Sequence, residues 1–210
     1  MSSKRMPRRP IIAPRLHHTA ITTLRIEAMI DWYEKVTGLT PVYYGDHGAW
    51  LTNDEANHRI ALLVPDGLRH PTDKAHTTGL HHTAFEYATF DQWLDNYIRL
   101  RQTGITPFLT LDHGMTMSLY YADPDGNGVE IQVDTFGNWA ESKEWMFASI
   151  EFEADQLGPH FDPEMLVKAR EEGQSFSEIH RRSRNGEFRP ASIPDSILLP
   201  SNPAEAQDNK

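Results

Sequence analysis

No cysteine occurs among the 210 residues, which excludes disulfides, zinc–thiolate sites and thiol nucleophiles. No apolar run approaches the roughly 18 residues that a membrane-spanning helix needs. Basic residues are in deficit, with 20 Lys and Arg against 30 Asp and Glu and a net charge of −10. Nonspecific nucleic-acid binding needs a positive surface to neutralise phosphates, so the charge argues against it. Solubility is the simpler reading of the acidity. There is no phosphate-cradling glycine loop and no nucleophile elbow. The N-terminus through Arg15 lacks the apolar centre of a secretory signal, and Pro7, Pro10 and Pro14 oppose an amphipathic transit helix. The expectation is a cytoplasmic protein with no membrane or nucleic-acid partner and a flexible basic arm over residues 1–15. A hydrophobic content of 39% suffices for one sizeable core, or for two small units sharing one.

What is present is a duplication. Leu16-His17-His18-Thr19-Ala20-Ile21 returns 64 residues later as Leu80-His81-His82-Thr83-Ala84-Phe85. A helical pattern follows each copy, over Ile26–Val36 and over Phe90–Arg101, closed by Gly38 and Gly104. Short strand-like runs come next: Pro41–Tyr44, Ala49–Leu51 and His58–Val64 in one copy, and Pro107–Leu111, Met115–Tyr121 and Val129–Val133 in the other. Each copy reads strand–helix–strand–strand–strand. The predicted fold is α+β, with two tandem βαβββ modules at residues 16–64 and 80–135, joined by a linker at 65–79. Residues 136–210 form a C-terminal extension. It opens with an aromatic segment around Trp139, Trp145 and Phe147, carries helices near Pro163–Glu172 and Ser175–Arg182, and ends disordered. His160 and His180, within it, have no matching partners and read as surface.

The two His-His pairs occupy equivalent positions. Neighbouring strand residues face opposite ways, so one histidine of each pair faces the other side. His18 and His82 share faces with the small residues Ala20 and Ala84, whereas Ile21 and Phe85 suit packing under a helix. Glu130 sits between apolar neighbours in Gly128-Val129-Glu130-Ile131-Gln132-Val133. Alternation alone would also let it face solvent. With two histidines it completes a two-histidine, one-carboxylate set, a set typical of nonheme iron(II) oxygenases.

Two segments carry a family resemblance: Leu80–Phe85, and Tyr120-Tyr121-Ala122-Asp123-Pro124-Asp125-Gly126-Asn127-Gly128-Val129-Glu130. Over about residues 16–135 the chain resembles the vicinal oxygen chelate superfamily, and within it the type I extradiol ring-cleavage dioxygenases of catechol and 2,3-dihydroxybiphenyl. The resemblance implies one metal-bearing cleft, with Fe(II), or alternatively Mn(II), held by His18, His82 and Glu130. It implies a catecholic substrate and O2 as partners, an acid/base role for His58, a substrate contact for Tyr120 and a supporting role for His113. A homo-oligomer is expected.

The chain departs from many relatives in having two modules rather than four, and the segment after about Gly137 aligns with none of their motifs. A metal-dependent glyoxalase or fosfomycin-resistance activity is the alternative enzyme. It would want a second carboxylate in the first module, where Arg59-Ile60-Ala61-Leu62 offers none. A metal-free drug-sequestering protein of the bleomycin-resistance kind is the alternative from another class.

Overall fold

In a computed structural model, residues 12–74 and 76–193 are described. Most of the expected basic arm and the expected disordered end lie outside them. The elements run β1 (Thr19–Thr22), α1 (Ile26–Thr37), β2 (Thr40–Gly45), β3 (Gly48–Thr52), β4 (Ile60–Leu63), β5 (His82–Tyr87), α2 (Phe90–Gln102), β6 (Leu109–Asp112), β7 (Thr116–Ala122) and β8 (Gly128–Asp134). The extension adds α3 (Trp139–Ala148), α4 (Ile150–Ala154), α5 (Pro163–Glu171) and α6 (Phe176–Arg184).

Two four-stranded sheets result, ordered β1-β4-β3-β2 and β5-β8-β7-β6. Each module's first strand runs parallel to its last, which the intervening helix makes possible. The α+β tandem fold expected from the repeat is the fold observed. In α1, Met29, Tyr33 and Val36 are buried at helical spacing, so the apolar stripe faces the sheet. The helix ends at Gly38, whose φ of +72° suits a left-handed cap. In α2, the Thr89 hydroxyl accepts the Gln92 N–H at 3.3 Å and so satisfies one orphan donor of the first turn.

The modules share one core. Ile21, Tyr33 and Leu62 of the first belong to the same buried cluster as Trp93, Leu119 and Ile131 of the second. Polar ties reinforce the junction: the Tyr33 hydroxyl donates to Asp123 Oδ2 at 3.2 Å, and Thr23 Oγ1 to Asp125 Oδ2 at 2.5 Å.

The extension joins that core rather than trailing from it. Phe161, Leu166, Ile179 and Phe188 are buried in the same cluster. Phe176 stacks on Phe90 with centroids 4.4 Å apart. Glu164 pairs with Arg101 and accepts from the Tyr97 hydroxyl. His160 and His180, expected to be surface residues without partners, are half-buried and partnered. His180 Nε2 lies 3.2 Å from the buried Asp112 carboxylate, and His160 Nδ1 lies 3.1 Å from the Thr110 carbonyl. No helix among the described residues is long and apolar enough to cross a membrane.

Candidate metal centre

Strand register assembles one face of the second sheet. Glu130, central in β8, stands between Ala84 of β5 and Tyr120 of β7. Ala84 leaves room beside the carboxylate. The opposite face carries Phe85, Leu119, Ile131 and Val133, which pack into the core beneath α2.

On the open face four groups form a continuous chain. His82 Nε2 lies 3.0 Å from Glu130 Oε2. The Tyr120 hydroxyl lies 2.9 Å from Glu130 Oε1 and 2.9 Å from His113 Nε2. Glu130 is only 5% exposed, and a carboxylate so buried needs partners. Burial alone would raise its pKa, but the His82 ring and the Tyr120 hydroxyl hold it below the ordinary 4.5. Tyr120 moves the opposite way: burial, and then the charge of Glu130, push its phenol well above 10 and keep it protonated.

The first module presents a second cluster. His18 lies just before β1 and His58 two residues before β4, so His58 precedes the strand it was expected to open. Their rings are 4.3 Å apart, and His58 is 5.3 Å from His17. Burial, then repulsion from His18 and His17, lowers the His58 pKa from 6.5. The donor atoms of His17, His18 and His58 all lie within 4.8 Å of one another. The structure thus brings His82, Glu130, Tyr120 and His113 together, and His18 and His58 together. It does not close His18 onto His82 and Glu130 to that distance. His18 is exposed and precedes its strand, so no ladder bond fixes its ring, whereas His82 begins β5. A cavity of about 320 Å³ lies between the two strand starts, lined by residues that include His18, Thr19, Arg59, Thr83 and Glu86.

The donor set fits a divalent cation. A carboxylate only accepts, so the proton between His82 and Glu130 sits on Nε2, and a metal ion can replace a proton held between such a pair. Two neutral imidazoles and one carboxylate suit iron or manganese and leave positions open.

Residues 15–131 match the family described as the Glyoxalase/Bleomycin resistance protein/Dioxygenase superfamily. The chain belongs to this superfamily. Within it, the chain is 39% identical over 189 residues to Biphenyl-2,3-diol 1,2-dioxygenase 3 of Rhodococcus globerulus, covering 90% of this chain and 99% of that protein. It is 38% identical to Biphenyl-2,3-diol 1,2-dioxygenase 2 of the same organism, covering 79% and 86%. Among solved structures, the glyoxylase/bleomycin resistance protein/dioxygenase domain from Frankia sp. EAN1pec matches with a TM-score of 0.50 and 18% identity, covering 58% of this chain and 98% of that one. That likeness concerns the fold alone.

Two participants escaped the sequence reading. His17 lies in the imidazole cluster, although alternation assigned it to the other face. The Gln156 carbonyl lies 3.2 Å from His113 Nδ1, and a backbone acceptor leaves no residue-type signal.

Proposed function

We propose that this superfamily member is an extradiol ring-cleavage dioxygenase acting on catechols, with His18, His82 and Glu130 holding one Fe(II), for which Mn(II) is the alternative. The observation that carries the reading is the His82–Glu130–Tyr120–His113 chain on one sheet face, in a protein akin to two biphenyl-2,3-diol dioxygenases over most of its length. When bound, the metal would supply a common docking point for the vicinal diol and O2 and would stabilise the charge that develops there.

The chain's own residues supply the rest. Tyr120 stays protonated through burial, so it serves as a neutral hydrogen-bond partner for a substrate oxygen and not as a base. His113 holds that phenol from the far side. His58, neutral at pH 7 because its pKa is lowered, accepts a catechol proton and returns it as the O–O bond opens. Both oxygen atoms enter the product, whose ring opens beside the diol.

Register supports this over the glyoxalase reading. Ala84 pairs with Glu130 in the second module, and its counterpart Ala20 pairs with Ala61 in the first. The position equivalent to Glu130 therefore carries a methyl group, and the second carboxylate is missing.

Iron-loaded protein given catechol or biphenyl-2,3-diol should take up one O2 per substrate and form a yellow ring-opened product. Conversion of a hemithioacetal, with no oxygen uptake on any catechol, would overturn the proposal.

A further inference from the structure

We infer that His17, His18 and His58 form a second metal site, a three-imidazole site for zinc that shares His18 and His58 with the reaction centre and stops the reaction when filled. The inhibition rests on the roles proposed above for His18 and His58; the site itself does not.

The three rings already converge. Their donor atoms lie within 4.8 Å of one another, and among the described residues no other His, Cys, Asp or Glu group of this size gathers so closely. His17 Nδ1 and His18 Nδ1 are 3.2 Å apart. Two nitrogens on one tetrahedral zinc, each about 2.0–2.1 Å from the ion, lie roughly 3.3 Å apart, so this pair stands at the separation that zinc requires. Each neutral imidazole carries one hydrogen and one lone pair. The contact between the two Nδ1 atoms holds one hydrogen. Its transfer through solvent to the Nε2 of its own ring frees both Nδ1 lone pairs and leaves both rings neutral.

The backbone fixes where the rings spring from. Thr19 donates its N–H to the Arg59 carbonyl at 3.0 Å, and Arg59 Nη1 donates to the His17 carbonyl at 2.9 Å. These two bonds lay residues 17–19 alongside His58 and Arg59. The Arg59 N–H is held in turn by the Leu51 carbonyl at 2.7 Å. The Arg59 charge is paired with Asp54, at 2.9 Å from Nε and 2.8 Å from Nη2, so it does not stand bare beside the cluster. His17 and His18 are exposed and His58 is half-buried, so an ion reaches them from solvent.

The donor set selects the ion. It contains no carboxylate, and nitrogen ligands bind Zn(II) more tightly than Fe(II) or Mn(II). Three histidines with an open fourth position is a recurrent zinc arrangement. The set of His18, His82 and Glu130 neutralises one of the ion's charges and suits iron or manganese. His18 is common to both sets, so the two ions exclude each other. Zinc held by the cluster also occupies the lone pair with which His58 would take a proton.

Zinc chloride titrated into the full-length, metal-free chain tests this, with the imidazole ¹H–¹⁵N signals as readout. One equivalent should move the signals of His17, His18 and His58 and leave that of His82 in place. Glu130→Gln should leave the zinc affinity nearly unchanged, whereas His17→Ala should weaken it roughly tenfold or more, since a coordinating ring is lost. Zinc should inhibit catechol turnover by the iron-loaded protein reversibly, a chelator restoring it. In His17→Ala, about tenfold more zinc should be needed for the same fractional inhibition, each protein being compared with its own zinc-free rate.

Movement of His18 and His82 together, with His17 and His58 unmoved, would place zinc on the carboxylate set and overturn the inference. Equal zinc affinity in His17→Ala and wild type would overturn it too, as would the absence of zinc binding. Absence of oxygen uptake with every catechol would sink the dioxygenase reading instead, and would leave the zinc titration standing, because no part of the titration needs substrate.

Discussion

His58 is the residue whose role is most exposed to test, because it lies among imidazoles that are themselves possible ligands. Replacing it with phenylalanine should leave metal content and anaerobic catechol binding near wild type. Turnover should fall by about 10²–10⁴, the range for losing a positioned acid/base. Loss of metal would make it a ligand instead. The pH profile gives a second check. Burial, then His18 and His17, favour the neutral ring, so a step that needs neutral His58 persists below pH 6.5 and fails only on further acidification. That acid limb of kcat/KM should vanish in the phenylalanine variant.

At this scale the geometry was readable where the strand pattern governs it. Alternation set His82 on the face of Ala84, the resemblance singled out Glu130 and Tyr120, and the strand register sets all three side by side on one face. His18 and His17 fall just before β1, where alternation no longer binds them, and there the pattern failed to say which ring goes where.

Elements were legible in proportion to their periodicity. Both module helices and all eight strands follow from apolar spacing and turn residues, with ends displaced by about two residues. β4 starts at Ile60 rather than His58, and β6 at Leu109 rather than Pro107, whose ring nitrogen has no hydrogen to give a ladder. The helix α3 had no such signal: Trp139, Met146 and Phe147 are exposed while Ser142 is buried, so no apolar stripe marks it. α5 is bound to α2 through Glu164, which makes that contact pH-dependent. Burial would raise the Glu164 carboxyl, but Arg101 and the Tyr97 hydroxyl hold it below 4.5. A depressed folded-state pKa stabilises above the unfolded value and is lost as pH falls through the folded one. Glu164→Gln should therefore lower Tm slightly at pH 7, by the equivalent of about 1 kcal/mol or less for so exposed a pair. It should also flatten the fall of Tm below pH 4.5. Parallel Tm–pH curves for the two proteins would show that Glu164 carries none of the acid sensitivity.

For the whole molecule, the question is whether the extension is an accessory or part of the folding unit. The duplication that organises residues 16–135 has no third copy in the extension, so the repeat does not say how it packs. The core contacts do. Phe161, Leu166, Ile179 and Phe188, each 2% exposed or less, lie in the core that the two modules share. Their removal would uncover α2 along Phe90, Trp93 and Tyr97, which now meet Phe176, Phe161 and Glu164. Burying one large apolar side chain is worth about 1.5–3 kcal/mol, so four of them rival the whole stability of a domain, about 5–15 kcal/mol. Truncation after Asp134 should accordingly do more than shift substrate range. The shortened chain should lack a cooperative thermal transition and should aggregate, as its bared apolar face dictates. The full chain should unfold in one step, with the fluorescence of Trp145 in the extension and that of Trp93 in the second module changing together. Circular dichroism and fluorescence melts of both proteins check this. A truncated chain that melts cooperatively near the wild-type temperature would mean that the modules fold unaided, and that α5 and α6 dock on a finished core without deciding its stability.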